Sequence, residues 1–531
     1  MTDLPSRQPV DVSAVGTTET FGSTAHRIFI IAVCLGGLIL YGLTCAPGVV
    51  WQDSGIFQYR VWRGDLEGVI GLPLAHPWYI LLARLFAFLP LGEFAYRVNL
   101  FSAVCGAMTL ALAAHLLRSL TGQYTAAICG VILLGISHTF WTHSVVAEVY
   151  TLYALCLLAE LCLVERFLSA RRFGWLLAAA LVNGLNLSNH LMAILHWPAY
   201  LGLMIWAIRT KRLTLEQFFM LPAAVLLGSA PYLWLICRRL YAGTALFETL
   251  REALVGPPHR ADIVLTHSFP FARQTIRAAQ YFLLNFPTPL LLLAPVGLWA
   301  AWRCATQRWF ALVGGAMFAV AFVFAYRYLV PDQYVFYFPC YILTACFAAI
   351  GIARFRGLTS GTGRRWTCIA LAALPALTYE IAPPLLRARK INFGVSRELP
   401  YRDTYAYFLR PRKNGDDGAG RFLREALEQA APDGAVMADS TILNPLVYVR
   451  DVEGVHPGVA IGVPANVSPL PPVVPATPED WRPFVERGKA FALTEARFMS
   501  RWVGENYDFE PVGKIYLLRE KRASPPEHDT P

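Results

Sequence analysis

Residues 94–143, FAYRVNLFSAVCGAMTLALAAHLLRSLTGQYTAAICGVILLGISHTFWTH, contain two apolar runs parted by a short loop at Arg118. A helix rises about 1.5 Å per residue, so about 20 apolar residues cover the roughly 30 Å of bilayer hydrocarbon. The runs 94–117 and 124–143 both meet that length. Outward from this pair the pattern recurs at 28–46, 146–165, 173–190, 191–208, 216–236, 279–301, 309–327, 333–353 and 366–386, which predicts about eleven spans. A further apolar segment, 76–90, is short and contains Arg84, and reads as an interfacial or re-entrant helix.

Loop charge orients the bundle. The loops 118–123, 166–172, 209–215, 302–308 and 354–365 hold thirteen Lys and Arg residues, whereas the short turns near 144, 189 and 330 hold essentially Arg327 alone. Basic loops stay in the cytoplasm, so the N-terminus is expected inside and the C-terminus outside. Counting 76–90 as a span would invert every later loop and break the alternation. The first run lacks an A-x-A cleavage site and reads as an uncleaved signal anchor. No internal repeat is evident, which argues against an inverted-repeat transporter.

Composition agrees. Of 531 residues, 56% are hydrophobic and only 15% charged, against about a quarter charged in soluble domains. The expected organisation is a cytoplasmic tail 1–27, a transmembrane domain 28–386 whose first outer loop is 47–93, a soluble domain 387–520 and a disordered tail 521–531. All eleven cysteines lie between Cys34 and Cys368, so no disulfide framework is expected in the soluble part. The net charge of +10 sits largely in topogenic loops without a basic, aromatic-interleaved stripe, so nucleic acid is not an expected partner.

Three outer segments could build a site: 47–93, 237–278 and the region from 387 onward. The first opens Trp51-Gln52-Asp53-Ser54-Gly55 and closes Ala75-His76-Pro77. Asp53 follows the first span closely, so it is either a partly desolvated general base or the N-cap of an interfacial helix. Glu148 lies at the outer end of the fourth predicted span, where an ionisable group points to function or snorkels to water. Asn186, Asn189 and His190 gather at an outer turn and could equally satisfy a helix break. Arg84 and Arg97 could bind phosphate or anchor their helices. Asp332 falls at a capping position. P-loop, G-x-S-x-G, H-E-x-x-H and C-x-x-C patterns are absent from the sequence. No cluster requires a metal or other cofactor, although a divalent ion is compatible with an acidic site.

The runs PGVVWQDSG (47–55) and AHPWYILLARLFAFLPLGEFAYRVNLFSA (75–103), then SHTFWTHSVVAEVYTLYAL (137–155) and GLNLSNHLM (184–192), resemble the protein O-mannosyltransferase-like GT-C membrane glycosyltransferases, the domain of unknown function 2723 type. The similarity continues weakly at 331–343 and 448–461. It departs at Ile56, where the family has Glu after Asp-Ser-Gly, and at His76-Pro77-Trp78-Tyr79 in place of His-Pro-Pro-Gly.

The resemblance implies an all-α polytopic GT-C bundle with a small extracytoplasmic α/β domain. It also implies inverting transfer of a mannose-like hexose from a polyprenyl-phosphate donor to a hydroxyl on a protein or glycan acceptor. Asp53 would be the general base. His76, Arg84, Arg97, Glu148 and His190 would contact donor phosphate, sugar or acceptor. The competing readings are a lipid-linked substrate transporter or flippase, which would place polar groups at the bilayer midplane, and a non-catalytic assembly factor. The expected setting is a bacterial-type inner or plasma membrane. In the soluble part, a helix is predicted over 417–431 and strands at 435–438, 457–463, 489–493 and 513–518, in the role of acceptor recognition or a lid.

Overall fold

A computed structural model describes residues 23–69, 71–256, 269–391, 397–464, 474–499 and 501–521. The predicted N-terminal tail therefore lies outside the described residues up to 22, and the predicted C-terminal tail does so from 522 onward.

Every apolar run is helical. Five helices among the described residues are long and apolar enough to cross a membrane: Thr24–Thr44, Phe94–Thr121, Leu191–Arg209, Arg308–Arg327 and Thr362–Ala388. Two bent pairs raise this to seven. Tyr124–Gly135 and His138–Ser144 meet at 68°, and Leu215–Gly228 meets Ala230–Tyr241, which starts with Ala230-Pro231, at 71°. Phe94–Thr121 is the axis of the bundle, with 72% of its most apolar window buried, against 17% for Thr24–Thr44. The outer helix shows why the bundle belongs in lipid. Ile28, Ile31, Leu35, Ile39 and Leu43 form an exposed stripe at helical spacing, a face that only hydrocarbon covers at no cost. The molecule is an integral membrane protein.

Small residues let the helices approach. A Cβ on Gly184 would stand 2.1 Å from the Val225 carbonyl oxygen, and one on Gly297 would stand 1.8 Å from that of Phe347. With lipid tails as apolar as leucine, close backbone contact and dispersion replace the hydrophobic effect as the glue between helices.

The C-terminal region carries a six-stranded sheet in the order β3-β2-β1-β4-β6-β5. The strands are β1 Ala435–Met437, β2 Ala460–Pro464, β3 Val474–Ala476, β4 Ala490–Ala492, β5 Tyr507–Val512 and β6 Ile515–Glu520. The first four are parallel, and β6 pairs antiparallel with both β4 and β5. The predicted helix is Gly418–Ala430. Sequence reading passed over β5 and the helix Ser440–Asp451, which follows β1.

That last helix joins the two parts. Trp51, Ile56 and Tyr59 of the first loop share one buried cluster with Phe422, Leu446 and Tyr448. A Cβ on Gly55 would stand 2.8 Å from the Pro445 nitrogen, so only glycine fits this contact. The Gln52 N–H donates to the Thr441 carbonyl at 3.0 Å, and the Tyr59 hydroxyl donates to Asp451 Oδ2 at 3.1 Å.

Candidate functional site

The chain leaves the first span as an extended segment held on both sides. Asn99 Nδ2 donates to the carbonyls of Ala46 and Gly48 at 3.0 and 3.1 Å, and Asn99 Oδ1 accepts from Gln58 Nε2 at 2.8 Å. Gln52 then takes φ 62° and ψ −136°, a conformation costly for a residue with a Cβ. It persists because the bond to Thr441 and the packing of Trp51 fix both neighbours. This kink starts the helix Asp53–Arg63, so Asp53 occupies its first position, where the helix dipole favours a carboxylate. Arg60, buried, closes the loop by donating to the carbonyls of Asp65, Leu66, Leu74 and Ala75.

Asp53 is exposed at the mouth of a cavity of about 300 Å³. Glu148 and Asp332 line the same cavity, so three carboxylates from distant parts of the chain converge. Glu148 sits in the turn before the helix Tyr150–Ala170. Its backbone N–H and carbonyl both bond Ser102 Oγ at 3.2 Å, and Ser54 Oγ donates to its carboxyl at 3.4 Å. Burial pushes its proton affinity well above the usual carboxylate range, Asp53 and Asp332 push it further, and the Ser54 bond opposes them. Burial thus favours the neutral form of Glu148 beside an exposed Asp53.

His138, His143 and Lys413 supply the opposite wall. The bend between Gly135 and His138 turns both histidines toward the cavity. His138 Nε2–H donates to the Phe408 carbonyl at 2.6 Å, which leaves Nδ1 as an acceptor; it is buried and has no hydrogen-bond partner among the described residues. Lys413 is buried and donates to the carbonyls of Tyr407 and Arg410. Two of its three ammonium protons are thereby used. Burial pulls its pKa down to about 8, with Asp416 opposing. Among the described residues no three His, Cys, Asp or Glu side chains are grouped to hold a metal ion.

The remaining sequence candidates stand elsewhere. His76 Nδ1–H donates to the Asn189 carbonyl at 2.5 Å, and its ring lies 5.3 Å from that of His190. His190 is one ring behind the cavity, 5.4 Å from Tyr150, which lines it. Arg97 donates to the carbonyls of Ala87 and Leu89, at the end of the helix Pro77–Phe86. Arg84 is exposed and its guanidinium lies over Gly64, which ends the loop helix. The structure thus brings Asp53 and Glu148 together and places His76, His190, Arg84 and Arg97 outside that cavity. Sequence reading missed His138, His143 and Lys413, and gave Asp332 only a capping role. The one available signal was the paired histidines in SHTFWTH (137–143).

Residues 70–214 match the family described as the protein O-mannosyl-transferase TMEM260 N-terminal domain. The matched stretch carries Glu148, Ser102, His138 and His143, while Asp53 and Lys413 lie outside it. The mouse protein O-mannosyl-transferase TMEM260 is 29% identical over 216 residues, which is 39% of this chain and 29% of the mouse protein. The match thus spans under a third of that relative's length.

ArnT from Cupriavidus metallidurans, solved bound to undecaprenyl phosphate, superposes with a TM-score of 0.56 over 94% of this chain and 98% of ArnT, at 16% identity. Its apo structure superposes equally well, also at a TM-score of 0.56, over 93% of this chain and at 14% identity. The fold is of the GT-C type.

Proposed function

We propose that this chain is an inverting glycosyltransferase that moves a mannose-like hexose from a polyprenyl-phosphate donor to an acceptor hydroxyl on a protein or glycan. In this reading the acceptor oxygen attacks the anomeric carbon, its proton passes to Asp53, and the bond from that carbon to the phosphate oxygen breaks. Polyprenyl phosphate leaves on the opposite face, so the configuration inverts. The observation that carries the reading is the meeting of an exposed Asp53 and a desolvated Glu148 in one cavity. Two carboxyls in such different surroundings are suited to divide the work of base and donor. Lys413 offers the remaining ammonium proton to the departing phosphate, and His138 Nδ1 accepts from a sugar hydroxyl. Arg84 keeps a part as an interfacial cation on the donor's approach, and the His76–His190 pair supports Tyr150 from behind.

A relative named as an O-mannosyl-transferase and a similarly folded protein captured with undecaprenyl phosphate support the donor class. We further infer that the transmembrane domain is 28–386, that 387–520 is extracytoplasmic, and that the N-terminus is cytoplasmic in an inner or plasma membrane. The test is Asp53→Asn in cells and in purified enzyme. Transfer should fall about 10²–10⁴-fold, the usual worth of a general base, at unchanged protein abundance. Unaltered glycan profiles and turnover would remove the enzyme reading.

A further inference from the structure

A second cavity among the described residues is roomier than the one at Asp53. It measures about 910 Å³ and lies at the other end of the bundle, between the last turns of Phe94–Thr121 and Tyr150–Ala170 and the helices Trp197–Arg209 and Arg308–Arg327. Asn99, which holds the Asp53 loop, is near the start of Phe94–Thr121, whereas Ser119 at its end lines this second cavity. The two cavities therefore face opposite membrane surfaces.

Its interior is apolar, with Leu203, Trp206, Trp309 and Leu312 among its walls, and its rim carries Arg212 and Arg308. Two acceptors inside it are unspent. Glu165 is 8% exposed; its Oε1 accepts from Ser119, while Oε2 is buried with no hydrogen-bond partner among the described residues. Gln307 donates through Nε2 to the Leu120 carbonyl, and its Oε1 is likewise buried and unmatched. Buried acceptors without donors are costly. The rim shows the converse. Arg212 stacks over Trp206 at 4.8 Å and Arg308 donates through Nε to the Trp302 carbonyl at 2.9 Å, each with further guanidinium donors to offer.

From this complementarity we infer that the cavity binds one phosphatidylethanolamine molecule of the leaflet opposite the Asp53 site. The phosphate meets Arg212 and Arg308, the ammonium donates to Glu165 and Gln307, and the acyl chains lie along the apolar walls. The chains gain little on leaving hydrocarbon for a hydrocarbon-like groove, so selection falls to the headgroup. Phosphatidylcholine presents the same phosphate but no N–H donor. Phosphatidylglycerol presents hydroxyl donors but no cation for the carboxylate. A polyprenyl phosphate presents neither.

The full chain, reconstituted in nanodiscs of equal dioleoyl phosphatidylethanolamine, phosphatidylcholine and phosphatidylglycerol with added undecaprenyl phosphate, tests this by native mass spectrometry after delipidation. One phosphatidylethanolamine should remain, enriched about tenfold over each competitor, the ratio that one charge-assisted hydrogen bond supports. Glu165→Gln, with an unchanged melting profile, should bring the preference over phosphatidylcholine close to unity. Equal retention of the lipids by the native protein, retention of undecaprenyl phosphate instead, or an undiminished preference in the variant would each overturn the proposal. The comparison among lipids on the native chain needs no substitution, so it stands even if Glu165→Gln fails to fold.

Discussion

At the scale of single residues, burial separates the carboxyls at the cavity: Glu148 is enclosed and Asp53 exposed. Burial favours the neutral form of Glu148, and Glu148→Gln preserves the shape and the donor of that form. Turnover should stay within about tenfold of the native value, far from the loss at Asp53, and steady-state kinetics on the two variants checks the contrast. Lys413 gives a sharper test. Its ammonium titrates near 8 in the folded chain, below its ordinary 10.5. If that charge meets the phosphate, kcat/KM falls as pH rises through about 8, and Lys413→Arg moves the alkaline limb upward. Stability must move the other way. Between the two values the unfolded chain binds more protons than the folded one, so unfolding free energy rises with pH by up to roughly 3 kcal/mol. Activity profiles and melting curves over the same buffers show whether the two trends oppose each other. The carboxyl candidates were legible in sequence because each lies beside a recognisable motif. Lys413 was not, because nothing in RPRKNGDDG (410–418) announces that its backbone N–H will reach the Thr44 carbonyl at 2.8 Å.

At the scale of elements, the loop helix Asp53–Arg63 is aimed by its neighbours rather than by its own propensity. Gly55 against Pro445 is the tightest point of that contact. Gly55→Ala should therefore cost about 1–3 kcal/mol through overpacking and lower turnover by displacing Asp53, with no comparable effect from the same change at Gly36, where a Cβ meets nothing within 4 Å. Thermal unfolding together with initial rates reads both quantities. The helix runs were legible in outline, since apolar length is a local property. Their breaks were less so. The predicted single span 124–143 is two helices at 68°, and the corner at Ile136 and Ser137 is marked only by the preceding Gly135, with no proline, inside an otherwise continuous apolar run. The helix Ser440–Asp451 escaped notice because Leu446, Val447, Tyr448 and Val449 are buried in succession, which erases the amphipathic period. The strand β5 did so because most of its residues are not buried and it carries no apolar run.

For the whole molecule, the site is a seam. Asp53 comes from the first loop, Glu148 and the histidines from the bent helices, Asp332 from a later turn, and Lys413, Ser440 and Thr441 from the C-terminal region. The arrangement requires that loop 47–93 and the C-terminal region share one membrane face. In a background lacking exposed Cys237, an impermeant maleimide should label Glu495→Cys from outside intact cells and leave Ser360→Cys untouched until the membrane is opened. Labelling of Ser360→Cys from outside would reverse the orientation. By itself the sequence determined the membrane class, the helical runs, the charge asymmetry that predicts their direction and the two carboxyls of the first wall, since apolar length, loop charge and short motifs are properties of neighbouring residues. Only the tertiary structure decided which cations and imidazoles oppose those carboxyls, and that His76, His190, Arg84 and Arg97 stand apart from them. Those choices depend on helix crossings set by glycines and on one interdomain contact, and both join residues hundreds of positions apart in the chain.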